Sequence, residues 1–172
     1  MILRRDPLAN PEPLIRRVYS YCAYRLGDGP DAEDATSDTF ERALRYKSSF
    51  DSRRGTPSAW LVGIARRAVD DLLSRRLTTV EDVPEQYAAE HDSTLRLDLA
   101  QALAQLDDRE RELVALRYGA DLTARQIGEL LELRTNAVEV ALHRALARLR
   151  VALERHEPTE HTGVLQPKLA PE

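Results

Sequence analysis

Along residues 13–76, and again along residues 95–150, apolar side chains return every three or four positions. Between these stretches the seventeen residues LTTVEDVPEQYAAEHDS hold no period at all. A spacing near 3.6 places apolar groups on one face of a helix, whereas a half-buried strand needs alternation. Helices are therefore the only regular element that this chain can build over most of its length. Its composition agrees, with 5% aromatic residues, 7 Gly and 9 Pro, while 42% hydrophobic against 31% charged is enough for folded cores. The expectation is an all-α chain of two small helical domains joined by an acidic linker, the second domain ending in a helix-turn-helix.

Punctuation residues place the elements. A first helix is predicted over Pro13 to Leu26, stopped by Gly27, Gly29 and Pro30. Asp31 is the expected cap of a second helix reaching Tyr46, with Glu33 and Asp34 in its first turn where they suit the dipole. Ser48 to Thr56 reads as a loop, and Pro57 as the start of a third helix carrying Trp60, Leu61, Ile64 and Leu72 toward Arg76. The second block opens with an amphipathic helix over Leu95 to Leu106. Asp107 with Glu110, and Thr123 with Gln126, have the spacing of capping boxes, the first opening a helix to Tyr118 before Gly119. A turn at Glu132 to Arg134 leads to Thr135 as a candidate cap and to a last helix that Pro158 must stop. That helix sets Val138, Leu142, Ala145, Leu146 and Leu149 in one arc. The expected domains are residues 1–76, a linker at 77–94, residues 95–157 and a disordered tail at 158–172. Domains of about 60 residues bury only about 60% of their unfolded surface, so each block is expected to lean on a partner.

The net charge of −4 is unevenly spread. Residues 1–76 hold 14 basic and 11 acidic side chains, a net +3, and residues 77–98 hold 1 and 6, a net −5. Residues 99–150 balance at 8 and 8, and residues 151–172 hold 2 and 4. An acidic whole therefore leaves both helical blocks free to meet nucleic acid.

Several chemistries find no support. Cys22 is the single cysteine and the four histidines (His91, His143, His156, His161) are scattered, so no metal site is expected. Gly27 to Ala32, GDGPDA, fits a dinucleotide fingerprint but follows a helix rather than a strand, and reads as an interhelical turn. The carboxylates Asp28, Asp31, Glu33, Asp34 and Asp38 suit the helix dipole, and acids four apart such as Asp34 and Asp38 could also serve a metal or a basic partner. No catalytic residue and no cofactor is expected. No run approaches the 18 or so apolar residues of a membrane span, and MILRRDPLANPEP lacks an apolar signal core, so a cytoplasmic protein with no membrane insertion is expected.

Binding surfaces are better supported. Caps, periodicity and turn length agree on a helix-turn-helix over Leu122 to Arg150. Opposite the apolar arc of its second helix lie Asn136, Val140, His143, Arg144 and Ala147, types that pair with adenine, guanine or a thymine methyl in a major groove. Arg134 and Thr135 open that helix, and Arg148 is expected on the phosphate backbone. In the first block, Phe50 in a loop with Arg53 and Arg54, near Trp60 and the arginines of the third helix, offers the stacking and charge that single strands need.

On these residues the chain resembles the extracytoplasmic-function group of bacterial sigma-70-type sigma factors. DAEDATSDTFERAL (Asp31 to Leu44) is similar to that family's core-polymerase-binding helix, and AWLVGIARRAVDDLLSRR (Ala59 to Arg76) to its promoter-melting helix. Leu106 to Arg150 is similar to its minus-thirty-five-binding domain. The resemblance implies polymerase contacts by Asp34, Ser37, Asp38, Phe40, Glu41 and Arg42. It implies minus-ten contacts by Phe50, Arg53, Arg54, Trp60, Arg66, Arg67, Asp71, Arg75 and Arg76. For the minus-thirty-five element it implies Arg134, Thr135, Asn136, Val140, His143, Arg144 and Arg148. Core RNA polymerase, promoter DNA and an anti-sigma factor are the implied partners, and the acidic linker is expected to thread the polymerase channel. The chain departs from the family's habits at Ser37, Arg67, Glu139 and Ala141, and at Glu132, where the turn usually has glycine. The rival readings are a stand-alone helix-turn-helix regulator and a helical protein adaptor. Neither needs a polymerase-binding helix at Asp31 to Leu44.

Overall fold

The computed structural model describes residues 6–78 and 94–155. Most of the predicted linker, and the predicted tail, lie outside the described residues. Seven α-helices are described: α1 (Pro11–Leu26), α2 (Pro30–Arg45), α3 (Pro57–Thr78), α4 (Thr94–Ala104), α5 (Asp108–Val114), α6 (Ala124–Leu131) and α7 (Thr135–Glu154). A 3-10 turn (Lys47–Ser49) follows α2, and a π turn (Ala115–Gly119) prolongs α5. There is no strand among the described residues.

Helix boundaries follow local chemistry. Gly27 ends α1 at φ +90°, and its N–H donates to the Ala23 carbonyl at 2.9 Å. The predicted cap Asp31 lies inside the first turn of α2, because Pro30 already supplies helical φ there and Gly29 holds the cap position. Helix α3 opens with the Thr56 hydroxyl accepting from the Ala59 N–H, and it runs through Leu77 and Thr78, two residues into the predicted linker. Both capping boxes form, on α5 and α6. The helix predicted from Asp107 to Tyr118 is α-helical only to Val114, after which it widens into the π turn.

The turn between α6 and α7 explains why Thr135 is not a cap. Glu132 adopts the left-handed conformation (φ 57°, ψ 39°), and the Leu133 N–H returns to the Gly128 carbonyl at 2.8 Å. That closure leaves Arg134 in the cap position without a side-chain bond, its carbonyl accepting from Val138, so Thr135 is already helical. Gly128 is required for the same reason: a Cβ there would lie 2.6 Å from the Leu133 oxygen.

Most of the buried apolar side chains of the two blocks form one cluster. Val18, Tyr21 and Cys22 of α1, Ala35 of α2 and Leu61, Val62 and Val69 of α3 belong to it, with Leu113, Leu116, Leu122, Ile127, Val138 and Leu142 of the second block. Each block does lean on a partner, and the partner is the other block. A smaller cluster of Leu103, Leu106, Val114 and Ala145 is closed by Tyr24 of α1. Cys22 lies deep in the main cluster, where burial pushes its thiol up to about 11 against a hydrogen bond with Thr36. Such a thiol is a packing group rather than a nucleophile.

A left-handed conformation costs an ordinary residue about 1–2 kcal/mol, part of which glycine returns as unfolded-chain entropy. Glu132→Gly is therefore expected to stabilise the fold by about 0.5–1 kcal/mol, read as a higher urea midpoint. Gly128→Ala is expected to destabilise the fold by about 1–3 kcal/mol, read as a lower midpoint, since the added methyl meets a backbone carbonyl that cannot retreat. Equal midpoints in both variants would contradict this reading of the turn.

Candidate polymerase and promoter surfaces

Helix α2 presents two kinds of residue. Asp34, Ser37 and Glu41 are exposed and follow one another along its outer face, which continues into the exposed Leu44. Asp38, Phe40 and Arg42 are partly buried and face inward. Phe40 packs on the core, and the Arg42 guanidinium donates to Asp38 (Nε to Oδ1, 3.0 Å) and to Asp71 of α3 (Nη2 to Oδ2, 2.8 Å). Its hydrogen bonds to Asp71 and then to Asp38 hold Arg42 above its ordinary pKa. Of the six predicted polymerase contacts, three thus lie on one open stripe and three fasten α2 in place.

The predicted minus-ten residues cluster around α3 and the loop before it. The Phe50 ring rests against Trp60, centroids 5.5 Å apart at 58°, so the loop is pinned by an aromatic pair. Arg53 is exposed and folds back on Asp51 through Nε and Nη2, while Arg54 projects without an ion pair among the described residues. Farther along, Arg67 is exposed, Arg75 donates to the Asp71 carbonyl and Arg76 pairs with Asp31 of α2. Arg66 points elsewhere. Its Nε meets Glu112 of α5 at 2.6 Å.

Helix α7 turns Val138, Leu142 and Ala145 inward and leaves Asn136, Val140, His143 and Arg144 exposed, with Arg134 and Thr135 exposed at its start. Glu139 shares this outer surface. Arg148 is engaged by Glu110 at 2.6 Å and lies 3.9 Å from Asp107, so it braces α7 against the capping box of α5. The Arg117 guanidinium donates to the Leu122 carbonyl at 2.9 Å, holding the turn before α6, and lies 6.0 Å from the Tyr118 ring.

Sequence reasoning missed the residues that join the blocks. Arg25 is only 4% exposed and reaches the Asp108 carboxylate at 2.7 Å and its carbonyl at 3.0 Å, with Asp70 at 3.8 Å. Burial works against its charge, but the Asp108 hydrogen bond prevails and keeps its pKa above the ordinary value. Asp70 is pushed up by burial and by Glu112, with Arg25 opposing. Arg17 spans to Asp121 at 3.0 Å. Each pair joins residues at least 45 positions apart, and no local pattern marks them.

These surfaces can be set beside known proteins. The Sigma-70 region 2 family pattern matches residues 12–78, and the Sigma-70 region 4 pattern matches residues 96–149. The ECF RNA polymerase sigma factor ShbA of Streptomyces griseus is 34% identical over 174 residues, covering 87% of this chain and 87% of ShbA. The chain belongs to the ECF sigma factor family. The ECF RNA polymerase sigma factor BldN of Streptomyces coelicolor is also 34% identical, over 143 residues and 77% of this chain, but this sigma factor relative spans only 54% of BldN's length. Among solved structures, the sigma factor RpoE from Bartonella quintana, in complex with the anti-sigma factor NepR, superposes with a TM-score of 0.66 over 82% of this chain and 92% of that one, at 20% identity. That likeness is one of fold. No described helix of this sigma factor is long and apolar enough to cross a membrane.

Proposed function

We propose that the chain is a promoter-specificity subunit that binds core RNA polymerase and directs initiation at a two-part promoter, in the cytoplasm and with no catalytic step of its own. The observation that carries this reading is the open stripe of Asp34, Ser37 and Glu41 on α2, on the same chain as the exposed reading face of α7. A stand-alone helix-turn-helix regulator needs only the second of these surfaces.

In this account the α2 stripe docks on polymerase, while Asp38, Phe40 and Arg42 hold its backbone in position. Asn136, Val140, His143 and Arg144 read the upstream duplex, with Arg134 and Thr135 at the groove entrance and Arg148 near the backbone. The Phe50–Trp60 pair, with Arg53, Arg54, Arg67 and Arg75, receives the opened minus-ten strand. Opening a duplex costs stacking of about 1.4 kcal/mol per step, which aromatic and cationic surfaces can offset. An anti-sigma factor is a proposed further partner, since RpoE was solved with one. The domain limits at 1–76 and 95–157 are proposed as the units that carry these roles.

Reversing Asp34 and Glu41 to Lys is expected to abolish co-purification with core polymerase while far-UV circular dichroism stays unchanged. Asp38 is the poorer choice because it also braces Arg42 within the fold. Undiminished binding by the double variant would sink the assignment of α2.

In holoenzyme, Arg144→Ala is expected to weaken recognition of the upstream element by roughly 1–3 kcal/mol, the range of a bidentate base contact. Glu139→Lys should act oppositely, tightening binding on most sequences and steepening its salt dependence, since it adds a phosphate partner. If neither variant changes affinity, α7 does not face DNA.

A further inference from the structure

Resting on the sigma-factor reading above, we propose that Glu139 is a base-reading residue of α7, one that selects cytosine within the upstream promoter element.

Its place on the helix is that of a reader. Glu139 is the fifth residue of α7, and the N-terminal part of a recognition helix is the part that reaches base edges. Asn136, Glu139 and His143 follow one another at spacings of three and four, so they form one exposed row. At about 1.5 Å of rise per residue, Glu139 stands about 4.5 Å beyond Asn136 and about 6 Å before His143. Base pairs are stacked about 3.4 Å apart, so Glu139 falls about one or two steps from the base that Asn136 meets.

Its carboxylate is also uncommitted. The neighbouring acids of the second block are engaged inside the fold: Asp107 and Glu110 in the α5 cap, Asp108, Glu112 and Asp121 with arginines of the first block, and Glu129 with Arg125. Glu139 is exposed and has no ion pair or side-chain hydrogen bond among the described residues. Arg117 lines the same groove beside α7, yet its guanidinium is given to the Leu122 carbonyl. The exposed cations Arg134, Arg144 and Arg150 keep the helix attractive to phosphate without neutralising Glu139 through a direct pair.

A free carboxylate in a major groove needs a donor, because when ionised it can only accept. Guanine O6 and N7 and thymine O4 are acceptors and repel it, and the adenine N6 donor sits beside the acceptor N7. Cytosine N4 is the donor that suits a carboxylate. Bringing a negative charge among phosphates is therefore offset best at one base, and the repulsion from the others sharpens the choice. A Glu139 that only repelled DNA would weaken binding equally whichever base it met. By the same reasoning, the gain in affinity from Glu139→Lys should be smallest on an element that carries this cytosine.

The test is a selection from duplexes with a randomised upstream element, using core polymerase reconstituted with the full chain. Wild-type holoenzyme is expected to enrich a cytosine within about two steps of an adenine. Glu139→Gln, whose amide pairs with adenine N6 and N7, is expected to turn that position to adenine and leave the others unchanged. Glu139→Ala should lose the cytosine preference there. On duplexes that differ only at that position, wild type should favour cytosine roughly tenfold, Glu139→Gln should favour adenine by a similar factor, and Glu139→Ala should discriminate by about twofold or less. Identical preferences in all three proteins would overturn the proposal, as would a gain in affinity on all four bases alike when the charge is removed. So would a position that changes with Glu139 but is not cytosine in wild type. Failure of the wild-type holoenzyme to enrich any upstream element would instead overturn the reading of α7 as promoter-facing, and the proposal with it.

Discussion

A glycine without a side chain lets the π turn ending at Gly119 rest its backbone on the backbone of Tyr21, and the rest of the packing is built around that approach. Tyr21, Leu61 and Val62 can then share one apolar cluster with Leu116, Leu122 and Ile127. Neither block buries enough surface to be robust alone, so the joint cluster lets two short helical units behave as one body. It also sets where the outer surfaces point. With α1 and the inner side of α3 committed to the joint, the outer face of α2 and the far side of α7 are left to solvent.

Much of this was legible in the sequence because it is local. Capping boxes depend on residues three apart, so Asp107 with Glu110 and Thr123 with Gln126 announced their helices correctly. The inward arc and outward face of α7 followed from periodicity alone. Local rules failed where two of them competed. Asp31 is a good cap residue, but Pro30 starts the helix first, and Thr135 lost its capping role to the closure between Leu133 and Gly128. The π turn had no signal, since Ala115 to Tyr118 read as ordinary helix formers.

What joins the blocks was not legible at all. The family resemblance cast Arg66 as a minus-ten contact, yet Glu112 of α5 holds it. Arg148 looked free for phosphate and instead braces Glu110. Composition counts such charges without saying which are spent internally. Only the long-range placement of α3 against α5, and of α7 against the α5 cap, decides that. The acidic partners Asp108, Glu112 and Asp121 carry no motif, so their role emerges from topology alone.

The central claim, that two blocks share one core, can be tested with the single tryptophan of the chain. Trp60 lies in the first block, so its fluorescence follows that block, whereas far-UV circular dichroism follows the helices of both. In urea the two signals are expected to lose their native values together, with one midpoint and one slope, because neither block keeps its packing once the other is gone. A dichroism curve with two steps, only one of them shared by Trp60, would mean that the blocks fold independently and would contradict the account.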